Sequence, residues 1–484
     1  MATFEDVTNL ALRRGLFFPA SEIYNGPAGF FDYGPYGLAI KNKVIALWRK
    51  QLVKRTGCLE IDGAITVPAG VLQASGHLAN FSDPLAQCKK CHSLHRADKI
   101  LTDATKIEFK EAMSDVDLTK AVREHNVHCP KCKGELMDVR RFNMVVKADI
   151  GAAGAVACYM RPETCQTIFI DFKRVYQTMR MKLPQGISQV GKVFRNEISP
   201  RQGLLRSVEF SQMETEVFFN PEKINEVEGF AEVENYEIMI QRAGSSEAKP
   251  IKAKDLVDQK IVSGKVIAYY LAITQQLYES YGFAKENMRF RELDGEERAF
   301  YAREGWDFEV KTSVGWLELI ANNYRTDYDL AGHAKGSKQD MDVMDENNKK
   351  YIPHVWEISI GVDRTFYAII ENSLRVGQEK TILALPKSIS SVEVAIFPLL
   401  SNKPDLVKKA EEVYALLKDK CDAFYDESGS IGKRYARMDE VGCPICITID
   451  FDTLTGDDVT VRDRDSGTQK RVKISDLVAE ISKC

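Results

Sequence analysis

Between Leu38 and Gly57, apolar side chains recur every four positions, at Ile40, Val44, Trp48 and Leu52. That spacing keeps one stripe on an α-helix, and Gly57 supplies a stop. The period then changes. Over residues 58–68 the apolar Leu59, Ile61, Ile65 and Val67 all fall on odd positions. The pattern predicts one strand with one buried face, ended by Pro68, which has no N–H for the ladder. Residues 82–141 interrupt these signals with a Lys-rich stretch carrying four cysteines, and read as an insertion. Strand-like runs return over 186–219 and 288–325. A helical stretch near 224–281 parts them and sets an expected helical insertion at about 221–285. Beyond Leu385-Pro386 the pattern is strand, helix, strand: an apolar run at 392–397, a helix over 405–420, then CITIDFD. That alternation predicts a separate α/β domain over 386–484.

The two strands near 187–219 carry an unusual face. Phe210, Gln212, Glu214 and Glu216 share one parity, where a core strand would place aliphatics, and Arg195 and Glu197 share a face of the preceding strand. Such a face is either solvated or a binding surface. The residue types suit a nucleotide: a planar guanidinium for a phosphate, a carboxylate for an amino group or for the arginine, and an aromatic ring for a purine. Arg201 and Arg206 in the intervening loop would add charge.

Composition narrows the class. A chain of 484 residues with 44% hydrophobic and 28% charged positions has room for two to four domains. It contains no apolar run near the roughly 20 residues that span a bilayer. The N-terminal MATFEDVTNL lacks the apolar centre of a signal peptide and the Arg-rich character of a transit peptide, which points to the cytosol. A net charge of -4 excludes a uniformly basic coat, so any RNA contact must be local. Eleven cysteines without an export signal argue for reduced thiols.

Phe194-Arg195-Asn196-Glu197, followed by Arg206 and Phe210, resembles motif 2 of the class II aminoacyl-tRNA synthetases. The helix and strand of 38–68 resemble motif 1, and HVWEISIGVDRTFYAIIEN (354–372) resembles motif 3, with Arg364 in the first turn of its helix, an anion site. SGHLANFSDP, RPETCQTIFIDFKR, GWLELIANNYRTDYDL and SGSIGKRYARMDEVG with TVRDRDS are similar to the homodimeric glycyl-tRNA synthetases of archaeal and eukaryotic type. The resemblance implies an α+β catalytic domain over 1–385. Its sheet would be mixed and mainly antiparallel, flanked by helices, with motif 1 at 38–68, motif 2 at 187–219 and motif 3 at 354–373. An anticodon-binding domain would follow over 386–484. It implies a homodimer formed through motif 1, and ATP, glycine and tRNA(Gly) as substrates.

By the same resemblance, Arg195, Asn196, Glu197, Arg206, Ser207, Phe210, Glu318, Leu319 and Arg364 would bind ATP, with Arg195, Arg364 and Glu318 catalytic. Glu318 would ligate Mg2+. Glu163, Glu214, Glu357 and Ser359 would surround the glycine ammonium, and Arg325 would meet its carboxylate. An amino acid without a side chain offers little else to grip, and crowding by polar groups excludes a methyl. Lys433, Arg434, Arg437, Arg462 and Arg464 would contact tRNA. Three departures from the family pattern stand out: Ile358 where proline is usual, Thr167 where glycine is usual, and a short insertion before motif 3. A synthetase-like nucleic-acid-binding protein without activity, or another specificity of the same subclass, are the alternative readings.

Cys88-x-x-Cys91 and Cys129-x-x-Cys132 form two knuckles suited to structural Zn2+, with His92, His95 and His128 near enough to substitute. Cys443 and Cys446 run into an apolar strand and read as packing residues.

Overall fold

The computed structural model describes residues 2–110, 113–152, 156–200, 202–378 and 380–483. Nine strands form the principal sheet: β1 (Leu59–Ile61), β2 (Gln185–Phe194), β3 (Glu209–Phe219), β4 (Glu237–Gln241), β5 (Lys249–Lys252), β6 (Met288–Glu292), β7 (Glu304–Thr312), β8 (Gly315–Thr326) and β9 (His354–Gly361). Their order across the sheet is β5-β4-β6-β7-β8-β9-β3-β2-β1. Among the described residues, the β1–β2 and β4–β6 pairs of this sheet are the parallel ones. Four of the five longest strands, β2, β3, β8 and β9, include the two expected motif segments. They meet at the centre, where neighbours satisfy the backbone on both sides.

Helices α1 (Pro35–Trp48), α2 (Cys165–Met179), α3 (Lys265–Ser280), α4 (Tyr328–Ser337) and α5 (Val362–Ser373) flank this sheet. Ile40, Val44 and Trp48 of α1 are buried, as their four-residue spacing predicts, and the helix runs on through a π-helical stretch, Arg49–Lys54, that buries Leu52. The segment after it differs from the expectation. Residues 58–68 form two strands, not one: β1 joins the principal sheet, while Thr66–Pro68 pairs with Val156–Met160 in a separate small sheet. The break falls at Gly63, where a Cβ would lie 2.6 Å from the Thr167 side chain. Past that turn the parity no longer reports one face, and Ile65 is left 40% exposed. Pro68 does end its strand.

The stretch expected to be a helical insertion is only partly helical. It contains α3, but also β4 and β5 at the sheet edge, where Ile238 and Ile240 alternate inward with a period of two. Among the described residues of 82–143, strands Ser82–Gln87, Leu94–Arg96 and Arg140–Asn143 pair with one another. With two short helices they bury a small core around Leu101, Leu118 and Val122.

Past residue 386, β10 (Val394–Pro398), β11 (Ala423–Tyr425), β12 (Ile445–Ile449), β13 (Asp458–Asp463) and β14 (Gln469–Lys473) form a second sheet, ordered β11-β10-β12-β13-β14. Helices α6 (Pro404–Leu417) and α7 (Ile431–Val441) pack on it. Cys443 and Cys446 are buried beside Phe397 and Met438. Among the described residues no helix is long and apolar enough to cross a membrane.

Candidate active site

Where β3, β8 and β9 adjoin, a cleft of about 690 Å³, its open mouth included, is lined by Arg195, Glu197, Arg206, Ser207, Phe210, Glu318, Leu319, Ser359 and Arg364, among others. Asn196 instead lines an adjoining cavity, and Arg201 lies outside the described residues. Each cleft arginine is anchored through its Nε. Arg195 donates to the Pro162 carbonyl at 3.1 Å and has the rings of Phe81 and Phe210 at 5.3 and 5.4 Å. Arg206 donates to Glu197 Oε2 at 2.6 Å. Arg364, at the N-terminus of α5, donates to the Leu205 carbonyl at 3.1 Å, and its Nη1 lies 3.2 Å from the Glu318 carbonyl and 3.7 Å from its Oε2. Anchoring at Nε leaves terminal N–H groups for an anionic ligand, and the helix N-terminus adds its own positive end.

Beneath Arg364, Asp363 ties the site to α1. One carboxylate oxygen accepts from the Tyr33 hydroxyl and lies 3.4 Å from Lys41 Nζ, and the other accepts from the Ser211 backbone. Burial lowers Lys41 from its ordinary value, and the Asp363 charge opposes that.

The row Phe210, Gln212, Glu214, Glu216 on β3 leads from this cleft into the protein. Phe210 and Gln212 line the cleft, while Glu214 and Glu216 are fully buried. The alternating polar face is therefore internal. Antiparallel register sets Glu214 opposite Ser359 and Glu216 opposite Glu357 on β9. Glu163 is brought alongside by the segment entering α2. That segment sits close because β2 has glycine at 191: a Cβ there would lie 2.0 Å from Arg161 Nη2. Arg161 in turn donates to the backbone of Lys192 and Gly63 at 2.9 Å each.

Partners differ sharply among these acids. Glu163 Oε1 accepts from Gln166 at 3.0 Å and Cys165 at 2.8 Å, and lies 3.1 Å from His77 Nε2. Glu357 accepts from Asn323 at 2.8 Å and from Arg325 at 2.9 Å. Glu214 accepts from the Thr164 hydroxyl on one oxygen, and its other oxygen has no partner among the described residues. Neither oxygen of Glu216 has one. Burial would raise Glu163, but His77 and Arg325 outweigh it and hold that carboxyl well below the usual range. Burial pushes Glu357 up to about 7 despite Arg325. Burial and the neighbouring carboxylates also raise Glu214, and Glu216 more strongly.

Arg325 is fully buried under the Tyr301 ring, 3.8 Å from its centroid. It spends Nε and Nη2 on Asp329, at 2.7 and 2.9 Å, and one Nη1 proton on Glu357. Two of its five N–H groups remain. Sequence reasoning missed His77, Tyr301 and Glu216 as members of this pocket. Glu216 had a signal in its parity with Glu214, and Asp329 in its i,i+4 spacing from Arg325. No periodicity marks His77, at the start of the short helix His77–Asn80 inside SGHLANFSDP, or Tyr301, in a turn; both reach the pocket from distant parts of the chain.

The four knuckle cysteines converge. Their Sγ atoms lie within 4.8 Å of one another, with Cys88–Cys132 at 3.5 Å and Cys91–Cys129 at 3.7 Å. A tetrahedron of thiolates about 2.3 Å from Zn2+ has edges of about 3.8 Å, so the set fits. Of the histidines, His95 comes nearest, its Nε2 3.4 Å from Cys129 Sγ.

The expected tRNA contacts divide. Arg462 is buried and bidentate to Asp439 at 2.9 and 3.1 Å. Arg464 donates to the carbonyls of Gly442 and Leu385 at 2.9 and 3.0 Å. Both terminal nitrogens of Arg434 bond to backbone carbonyls, including Gly429 at 3.2 Å; its Nε alone is unpaired. These three arginines hold the second domain together and are withdrawn from the RNA-facing set. Sequence could not tell a basic surface residue from an arginine filling carbonyl acceptors inside. Lys433 is exposed, and Arg437 is half-buried beside Asp426.

Residues 154–373 match the family model described as tRNA synthetase class II core domain (G, H, P, S and T), and residues 393–484 match the anticodon binding domain. The chain is 36% identical to the glycine--tRNA ligase of Methanococcus vannielii over 569 aligned positions, covering 99% of each chain. The same identity holds for the ligases of Methanocaldococcus jannaschii, covering 98% of each chain, and Pyrococcus furiosus, covering 98% of this chain and 97% of that one. The alignments are longer than this chain, so these relatives carry residues it lacks.

Proposed function

The chain belongs to the glycine--tRNA ligases, class II synthetases with a core domain and an anticodon-binding domain, and we propose that the arginine cleft and the acid pocket joined to it divide the two substrates of its first step. It is an aminoacyl-tRNA synthetase: glycine and ATP give glycyl-adenylate and pyrophosphate, and glycine then passes to the 3′ end of tRNA(Gly).

In this assignment Phe210 carries the adenine ring and Glu197 orients Arg206 toward its edge or the phosphates. Arg195 holds the α-phosphate and Arg364 the γ-phosphate. Leu319 and Ser207 wall the nucleotide. The glycine ammonium sits among Glu163, Glu214 and Glu357, with Ser359 at the boundary between pocket and cleft. The two remaining N–H groups of Arg325 are the ones offered to the glycine carboxylate, while its other three orient Glu357 and Asp329. Asn196 supports the hairpin from the adjoining cavity. The observation that carries this reading is the continuous row from Phe210 to Glu216, which runs from the arginines to the acids.

Catalysis is then positioning. The pocket aims a glycine carboxylate oxygen at the α-phosphorus, and Arg195 and Arg364 neutralise charge that grows on the phosphates. Half-exposed Glu318 on the cleft wall is a fitting ligand for Mg2+, which would supply positive charge to the phosphates when bound with ATP. Crowding by the polar groups of the pocket excludes the methyl of alanine. We further assign a structural Zn2+ to Cys88, Cys91, Cys129 and Cys132, tRNA contact to Lys433 and Arg437, and dimerisation to the 38–68 region, where apolar Leu38 and Ile65 are 49% and 40% exposed.

ATP–pyrophosphate exchange tests the reading. Exchange should require glycine and ignore alanine, serine and threonine; stimulation by one of these in its place would overturn it.

A further inference from the structure

The pocket holds more negative charge than an ammonium needs. Cys165, Glu214, Glu216 and Glu357 present one ligand atom each within 4.8 Å of one another, all buried. Three carboxylate oxygens, Glu214 Oε1 and both of Glu216, have no partner among the described residues, although the chemistry assigned above makes no use of Glu216. Buried carboxylates this close do not all ionise; they share protons until a cation arrives.

Resting on the functional reading above, we propose that Glu216 keeps a proton in the empty pocket, shared with Glu214 and Glu357, and that the glycine ammonium displaces it, so that glycine capture releases a proton to solvent. The exchange balances in charge: one ammonium enters and one proton leaves, with no bond to carbon altered. Glu216 is thereby a positioning residue. It touches no reacting atom, but it stands opposite Glu357 in the strand register and beside Glu214 on its own strand.

The surrounding charges leave this trio as the place where the proton resides. From the start of α2, Glu163 is compensated by His77 and Arg325 and stays ionised, while Cys165 is pushed well above its ordinary value by burial and by Glu163. From β8 and α4, Arg325 is already neutralised by bidentate Asp329, and it also donates to Glu357. Nearby His333, on α4, is lowered by burial and bonds to Gln166. Burial raises the Tyr301 phenol, so it stays neutral. Arg161 lies near enough to act on Glu214, but its donors go to backbone carbonyls. Burial pushes Glu357 up to about 7, and burial with the Glu357 and Glu214 charges raises Glu216 well above its ordinary range.

Isothermal titration of the full-length protein with glycine near neutral pH, repeated in buffers of different ionisation enthalpy, reads the protons exchanged on binding. The slope of observed heat against buffer enthalpy should correspond to release of about one proton for the native chain and to clearly less for Glu216→Gln. Glycine binding with no buffer dependence would overturn the proposal, whether or not the variant folds. So would an equal slope in a folded Glu216→Gln. Absence of any glycine-dependent heat, together with absence of glycine-dependent exchange, would instead remove the functional reading and this inference with it.

Discussion

The acid pocket of the core and the arginine-rich end of the second domain both bury charge, and they differ in what that charge touches. Arg462 turns both terminal nitrogens to Asp439, and all three nitrogens of Arg464 meet a carboxylate or a backbone carbonyl. Glu214 and Glu216 keep three buried oxygens without partners. A buried charge whose hydrogen bonds are complete serves the fold; one with bonds to spare is held at a cost that only a ligand repays. On sequence alone the two groups looked alike, since both were charged residues in segments matching a family.

The largest expected effect lies on the open side of this contrast. Arg195→Ala should lower the exchange rate by about 1,000-fold, as removal of one preorganised donor does elsewhere, with little change in unfolding. Steady-state exchange beside a thermal melt checks both halves. On the closed side, Arg462→Met leaves buried Asp439 with Lys380 alone, at 3.1 Å, and should cost about 2 kcal/mol of stability by urea titration. Its exchange rate should stay near native in the folded protein. Loss of exchange in the folded variant would show that the distinction fails.

A smaller effect has the opposite sign. The folded Glu216 carboxyl is raised above its unfolded value. The unfolded chain thus loses that proton at lower pH, and stability drains as pH climbs above about 4.5. Glu216→Gln escapes this and should be more stable than the native chain at pH 8 by about 1 kcal/mol, a gap that closes toward pH 4. A destabilised variant at pH 8 would mean that Glu216 is paired after all. The smallest effect belongs to exposed Lys433: Lys433→Ala should weaken tRNA binding by about twofold to fivefold and flatten its salt dependence, without altering the melt.

Much of the site was legible because strands report faces. Parity alone put Phe210, Gln212, Glu214 and Glu216 in one row, and the structure sets them on one face running inward. The helix of Ile40, Val44 and Trp48 was likewise readable from its period. Illegible were features fixed by long-range packing. Gly63 splits an expected strand because Thr167 and Gln189 crowd it. The pair β4 and β5 joins the sheet edge inside a stretch read as helical. His77 enters the pocket from the first position of a short helix, His77–Asn80; its segment SGHLANFSDP resembles the family, but no periodicity assigns that side chain to the pocket.

The central claim concerns where an ammonium goes. A crystal structure with the nonhydrolysable adenylate analogue 5′-O-(glycylsulfamoyl)adenosine should show the amino nitrogen within about 3.2 Å of oxygens of Glu163, Glu214 and Glu357. Its adenine should lie against Phe210. An amino nitrogen bound elsewhere, with those three carboxylates still unliganded, would contradict the account.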